Sequence, residues 1–332
     1  MPRTKSRKSK KSRSSIQSNP QPTQFTVREP LKFLQICQGR VEKLANVQGN
    51  TTPNPESYYA PDISPEQLTL HRIFLQLISS AANANMLRNV INIHGQNSTR
   101  KNAILDLLTS STCTPLWDYN QLLSDTLFRP YLELFSKLDI ETNIVKLQEH
   151  KLIKENSTPN YPNILWSRWL TSVKDSAQFL LNYKTGEEFS NKISGWIRSV
   201  PAELRFAIPM YIASHIHGIG FALACDALKE MGFCEFAKPD VHICNVFFEL
   251  GIAQQSNSTL NNQLLVLESF YKLVGDINQN SQGKKITPYA LDKMIWLCCT
   301  GNFHKDNDGK VSRKQNLRNE LITLMKQSCE IK

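Results

Sequence analysis

Two glycines and one aspartate carry the clearest chemical signal in the sequence. Gly218 and Gly220 flank Ile219 in a short turn between two apolar segments with helical character. Glycine lets a backbone turn tightly and approach another surface, and the amides released at the start of the following helix can bind a phosphate oxygen. Asp240 lies twenty residues beyond Gly220, where a third helix should begin. The spacing predicts an anion-binding turn set at a fixed distance before a carboxylate.

The segments around the turn predict the helices that position it. We expect helices over residues 204–216 and 221–231, with Ile219 packed between them and small Ala224 where they cross closely. Gly232 should end the second helix. Both features also have purely structural explanations. Glycine turns join packed helices in many proteins that touch no nucleic acid, and aspartate after proline is a favoured helix N-cap.

The region from 207 to 250 resembles the helix-hairpin-helix superfamily of DNA glycosylases. Gly218-Ile219-Gly220 followed by Ala224 and Leu228 resembles the hairpin, and Pro239-Asp240-Val241-His242-Ile243 is similar to the superfamily's Pro-Val-Asp-x-His-Val signature. That superfamily includes endonuclease III and the 8-oxoguanine, adenine-mismatch and alkyl-base glycosylases. Outside this region the resemblance rests on helix content alone.

The resemblance implies an all-α, two-lobed helical glycosylase fold. It also implies an enzyme that removes a damaged, mismatched or modified base from double-stranded DNA. Asp240 would be the catalytic residue, stabilising positive charge on the deoxyribose and directing the nucleophile. The amides of Gly218, Ile219 and Gly220 would bind the DNA backbone beside a flipped-out base. His215, His217 and His242 are expected to be structural, or at most phosphate contacts in the case of the first two.

The sequence departs from the superfamily at three places. Members that also nick the strand carry a Schiff-base lysine two residues after the second hairpin glycine, and Ala222 stands there. Lys229 lies too far along the helix to replace it, and Lys238 could do so only if its loop turned inward. We therefore expect a monofunctional enzyme that uses water. His217 replaces a common proline, and Lys238-Pro239 replaces Pro-Val.

The base pocket and the wedge that fills the gap in the DNA are predicted from residue type. Candidates for stacking on the base are Trp166, Trp169, Trp196 and Tyr211, although each such residue is more often part of a core. Asn83 and Asn85, in the polar run after an early helix, are the wedge candidates. The alternative for this run is an ordinary helix C-terminus.

Composition limits the remaining possibilities. Residues 1–28 hold eight of the 39 lysines and arginines and no acidic residue, so most of the net charge of +10 lies in this tail. We expect the tail to be disordered, and either to contact DNA non-specifically, to act as a nuclear-localisation-type run, or only to aid solubility. Residues 29–65 predict a short helix or strand within 31–45 and then a proline-rich linker, and residues 66–332 the helical domain.

Further helices are predicted from the spacing of apolar residues and from capping residues. Ser64-Pro65-Glu66-Gln67 should start the first helix of the domain. The other predicted segments are 88–93, 101–108, 119–138, 144–152, 164–182, 188–198, 264–274 and a helix from Thr287-Pro288 through Trp296.

The eight cysteines predict reduced thiols, because they show neither C-x-x-C pairs nor metal-ligand spacing. We expect no iron–sulfur cluster, no metal and no cofactor. We also expect no membrane segment, an intracellular DNA-associated location and a monomer. Two other classes stay open: a catalytically silent DNA-binding or lesion-sensing protein with the same fold, and a helical scaffold in which the hairpin only packs.

Overall fold

A computed structural model describes residues 27–47, 59–83, 108, 122–151, 163–283, 285–301 and 314–329. Within these ranges all regular structure is helical, which confirms the all-α prediction. The α-helices are α1 (Pro30–Val47), α2 (Leu70–Asn83), α3 (Asp125–Ser136), α4 (Ile140–Glu149), α5 (Asn163–Leu180), α6 (Gly186–Ser199), α7 (Ala207–His215), α8 (Phe221–Glu230), α9 (Val241–Glu249), α10 (Thr259–Asn280), α11 (Pro288–Thr300) and α12 (Lys314–Ser328). No helix in the described ranges is long and apolar enough to cross a membrane.

Polar side chains define where many of these helices begin. Thr185, Ser258 and Thr287 each accept a backbone amide from the first turn of α6, α10 and α11. Asp139 accepts two such amides at the start of α4. An N-cap side chain of this kind satisfies donors that have no partner within the helix. Capping residues in the sequence therefore fix these boundaries locally.

Two helices begin later than their sequence predicts. The Gln67 side chain accepts the Ser64 amide at 3.1 Å, but the turn that starts here is a short 3₁₀ helix, Pro65–Gln67, and α2 begins only at Leu70. The Leu70 amide donates to Asp125 Oδ1 at 2.6 Å, which favours a new start there. The helix predicted over 119–138 begins at Asp125, because the Leu123 amide donates to the buried His71 ring at 2.9 Å instead of entering a helix.

Other predicted segments differ mainly in length or lie outside the described ranges. The helix predicted over 264–274 is longer at both ends, Thr259–Asn280, and its earlier start is set by the Ser258 cap. Residues 88–93, 101–107 and 1–26 are outside the part of the chain that the structure describes.

The buried side chains form two clusters. The first core is formed by α2 to α8 and the loop after α8, and includes Phe74, Trp169 and Phe189. The second core is formed by α1 and α9 to α12, and includes Phe247 and Phe270. Helix α8 contributes to both, because Ala224 and Leu228 face the first core while Phe221 and Cys225 face the second.

Helix α1 is longer and more integrated than the sequence predicts. It runs for 18 residues, and Phe33, Cys37 and Val41, spaced by one helical turn, are fully buried in the second core. It packs on α10, α11 and α12. The Arg40 guanidinium donates to the Leu317 carbonyl at 3.0 Å and to Glu320 at 2.7 Å on α12. The first described helix is thus held by the last ones.

Candidate functional site

The turn between α7 and α8 is a tight hairpin. Gly218 adopts a φ of 85°, in the left-handed region that favours glycine, and Gly220 caps α8 with an extended conformation. Ile219 between them is only 2% exposed and packs in the first core. The Ile219 side chain is therefore buried below the turn, whereas Gly220 is exposed at its surface.

Helix α5 holds the hairpin from one side. The Ser172 hydroxyl donates to the His217 carbonyl at 2.6 Å, and the His217 amide donates to Asp175 Oδ2 at 2.9 Å. A Cβ at Gly218 would lie 2.6 Å from the Ser172 hydroxyl oxygen. Two features therefore favour glycine at position 218: the positive φ and the close approach of α5.

The outer face of the hairpin has free backbone amides. Leu223 and Ala224 donate back to the Gly220 carbonyl at 3.0 Å. The amides of Gly218, Gly220, Phe221 and Ala222 have no acceptor among the described residues. The Ile219 amide, which the sequence predicts to bind the DNA backbone, instead donates to the Ile216 carbonyl at 3.2 Å. Gly220 is exposed, and a Cβ there would meet nothing within 4 Å. These amides, at the positive end of the α8 dipole, can bind an anionic oxygen.

Asp240 is the N-cap of α9. Its Oδ1 accepts hydrogen bonds from the amides of His242 at 2.8 Å and Ile243 at 3.1 Å. Asp240 therefore has the structural role that aspartate commonly has at the start of a helix. No described residue donates to its Oδ2, and the residue is half-buried. The carboxylate is thus fixed through one oxygen and leaves the other available for a ligand.

The charge of Asp240 acts on the side chains around it. Burial raises the pKa of the Cys244 thiol to about 11, and the Asp240 carboxylate adds to that rise. Burial also raises the pKa of Cys299 to about 12, with smaller contributions from Cys298 and Asp240. Both thiols therefore stay protonated at neutral pH and are poor nucleophiles.

A buried ionic cluster, formed by Asp226, Lys229, Lys238 and Asp292, lies between α8, α11 and the loop before Asp240. Lys229 is 6% exposed and bonds directly to Asp292, which is 2% exposed; its ammonium is also 3.7 Å from Asp226 Oδ1. Lys238 reaches Asp226 Oδ2 at 3.0 Å. The sequence did not predict this cluster. Asp226 and Lys229 look like a solvated i,i+3 pair, and Asp292 is more than 60 residues away.

The cluster fixes the charge of Lys229. Burial by itself would lower its pKa, but the nearby Asp292, Glu230 and Asp226 carboxylates raise the pKa well above the usual value. The side chain is therefore an ammonium ion and cannot act as an amine nucleophile. Ala222, where a Schiff-base lysine would be expected, is half-buried in the first turn of α8.

No protein-family model, curated protein or solved structure matches the chain. The chemical interpretation of the site therefore rests on its own geometry.

The four aromatic candidates lie in two different settings. Trp166 and Trp169 are buried in the first core and meet edge to face, and the Trp169 indole donates to the Ile78 carbonyl at 3.1 Å, which favours a packing role. Trp196 and Tyr211 are half-buried and meet edge-on with ring centroids 5.1 Å apart. The Lys192 ammonium lies 5.1 Å and 5.6 Å from these two ring centroids.

The remaining polar candidates are two asparagines and three histidines. Asn83 is the last residue of α2 and half-buried, and Asn85 lies outside the described residues. His215 packs its ring on Tyr211 with centroids 4.4 Å apart, and His217 is exposed at the hairpin. His242 is half-buried in the first turn of α9.

The described residues contain no group of three or more His, Cys, Asp or Glu side chains arranged to hold a metal ion. The cysteines among them are all free thiols: Cys37, Cys225, Cys234, Cys244, Cys298, Cys299 and Cys329.

Proposed function

We propose that the chain is a DNA N-glycosylase with a two-lobed helix-hairpin-helix fold. It would hydrolyse the bond between the deoxyribose and a flipped-out damaged, mismatched or modified base. One observation carries the proposal. The hairpin and the first residues of α8 have four amides without an acceptor, and Lys238 connects α8 to the loop that ends at Asp240, whose Oδ2 has no donor among the described residues. This contact supports our inference that the hairpin amides and the Asp240 carboxylate act together on one DNA strand.

Each part has a distinct task in this reaction. The hairpin amides bind a backbone phosphate of the strand that carries the target base. As the glycosidic bond breaks, the sugar becomes positively charged, and the Asp240 carboxylate stabilises that charge. Its Oδ2 then accepts a proton from the attacking water as the water oxygen bonds to C1′. The base leaves with the electron pair of the broken bond and is protonated from solvent, Asp240 gives its proton back to solvent, and an abasic site remains in the strand.

The lysines of the site support a mechanism that stops at the abasic site. Strand nicking needs an amine that attacks C1′, and position 222 supplies a methyl group instead. Lys229 is a buried ammonium ion, and Lys238 is paired with Asp226. We therefore expect borohydride to trap no covalent adduct between the protein and DNA.

The test is release of a base from duplexes that carry a panel of modified or mismatched bases. Alkali converts each abasic site to a strand break, which gel electrophoresis detects. We expect breaks with the unaltered protein and a loss of rate on the order of 100-fold or more in Asp240→Asn. Asparagine caps helices about as well as aspartate, so this variant should stay folded.

Asp139→Asn is the matched control. Asp139 caps α4 through the same contacts, accepting the amides of Glu141 at 3.1 Å and Thr142 at 3.3 Å, and it is exposed. Its substitution should leave base release unchanged. Duplex binding without strand breaks on any substrate would instead indicate a silent binding or lesion-sensing protein. A folded protein that does not bind duplex DNA would indicate a scaffold.

A further inference from the structure

The position of Asp240 depends on the loop between α8 and α9. Residues 231–240 contain no regular helix beyond short turns. Gly232 and Phe233 close the end of α8, and the Tyr289 amide of α11 donates to the Cys234 carbonyl at 3.1 Å. These contacts hold the first half of the loop. The second half, from Ala237 to Asp240, carries the carboxylate.

Lys238 contacts both sides of this second half. Its carbonyl accepts the Asp240 amide at 2.8 Å, and its ammonium donates to Asp226 Oδ2 on α8 at 3.0 Å. One residue therefore connects the backbone of Asp240 to the helix that begins at the hairpin. We propose that Lys238 is a positioning residue, which sets the Asp240 carboxylate relative to α8 by this two-ended tether. The importance of Lys238 for catalysis rests on the proposed function, whereas its contact with Asp226 does not depend on that function.

Asp226 is suited to anchor the tether. Its side chain is 9% exposed and that of Lys238 is 19% exposed, so the pair is screened little by salt. Burial alone would raise the pKa of Asp226, but Lys238 and Lys229 lower the pKa below its ordinary value. The carboxylate is therefore ionised at neutral pH and holds the ammonium through a charge-assisted hydrogen bond.

No other cation of the cluster can take the place of Lys238. Lys229 lies closest to Asp292 and is 3.7 Å from Asp226 Oδ1. It is also on α8 itself, so its contact with Asp226 stays within one helix and does not reach the loop. Removing the Lys238 ammonium would leave Asp226 charged and would remove the polar contact between α8 and the loop, while Ala237 and Pro239 stay buried.

The tether can be tested without a substrate. Hydrogen exchange of the His242 and Ile243 amides, measured by NMR on the full chain, reports whether Asp240 Oδ1 stays on α9. We expect Lys238→Met to accelerate their exchange by about tenfold or more, and Lys238→Arg to remain near the unaltered protein. Asp226→Asn should change the exchange in the same direction but by less, because it removes the negative charge and leaves an oxygen that can still accept from Lys238. Lys32→Met, which breaks a 2.9 Å pair with Glu29 at the start of α1, is the control.

The catalytic consequence needs a second pair of measurements. With a substrate duplex from the base-release panel, single-turnover release by Lys238→Met should fall on the order of 100-fold, since small displacements of a reacting group have effects of that size. Affinity for a duplex carrying a tetrahydrofuran abasic-site analogue should stay unchanged. Lys238→Arg should restore much of the rate.

Each outcome decides the inference. Unchanged amide exchange in Lys238→Met overturns the tether. Faster exchange with an unaltered rate of base release overturns the positioning role. If the unaltered protein releases no base from any duplex, the proposed function fails, and the exchange measurement still decides whether Lys238 holds Asp240.

Discussion

At the scale of single residues, the two hairpin glycines have different reasons to be glycine. Gly218 has a positive φ and no room for a Cβ, because the Ser172 hydroxyl oxygen would lie 2.6 Å away. Gly220 has an ordinary φ of −81° and open space around it. The structure of the protein alone therefore requires glycine at the first position. At position 220, a requirement for glycine would come mainly from a ligand that approaches the backbone.

This difference predicts opposite effects of alanine at the two positions. Gly218→Ala should destabilise the fold by about 1–2 kcal/mol or more from the left-handed backbone, before any displacement of Ser172. Gly220→Ala should lower stability by about 1 kcal/mol or less, because alanine is a poorer N-cap than glycine, and should weaken duplex binding roughly tenfold, because its Cβ holds the phosphate away from the amides. Urea unfolding and fluorescence anisotropy at fixed salt measure the two effects. A folded Gly220→Ala with unaltered affinity would contradict the proposed phosphate site.

At the scale of elements, α8 is the centre of the molecule. It packs on α7 and α2 in the first core and on α10 beside the second. Two of the free amides, those of Phe221 and Ala222, are in its first turn, and its second half carries Asp226 and Lys229 of the buried ionic cluster. Because buried charges are costly unless they are paired, this cluster specifies how α8, α11 and the loop before α9 fit together.

We predict a strong energetic coupling within the Lys229–Asp292 pair. Lys229→Met should lower the free energy of unfolding by about 3–5 kcal/mol, because Asp292 is then left buried without its cation. The double variant with Asp292→Leu should be more stable than Lys229→Met alone, since the unpaired charge is gone. Urea unfolding of the unaltered protein, the two single variants and the double variant gives the interaction free energy of the pair as a double-mutant cycle. Additive losses would show that the two side chains do not act as a pair.

At the scale of the whole molecule, the chain leaves the second core and returns to it. Helix α1 starts in that core, α2 to α7 form the first core, and α9 to α12 complete the second. The second core thus needs segments from both ends of the described chain. Its stability depends on contacts between residues that are far apart in sequence, such as Arg40 and Glu320.

This arrangement predicts that α1 is necessary for stability. Phe33→Ala should cost about 3–5 kcal/mol, because the ring is fully buried among residues of the second core. Leu127→Ala, at a leucine that is 62% exposed on α3, should change stability by less than about 0.5 kcal/mol. Chemical denaturation measures both. Equal, small effects would mean that α1 is a detachable extension.

Much of the local structure could be predicted from the sequence. The all-helical class, the helices on both sides of the hairpin and the start of α9 at Asp240 follow from apolar spacing, glycine and capping residues. The late start of α2 and the length of α1 could not be predicted in this way. The first depends on Asp125, which is 55 residues from Leu70, and the second on burial against α10 to α12.

The same division holds at the candidate site. The sequence by itself determined the hairpin glycines, the cap at Asp240 and the alanine at position 222, because each depends on backbone conformation or residue type within a few positions. Only the tertiary structure decided which charges meet: Lys229 with Asp292, and Lys238 with Asp226. It also decided that Trp169 lies in a core while Trp196 and Tyr211 remain half-buried. Such contacts depend on how helices pack, and no periodicity along one segment encodes the charge that a distant helix places beside it.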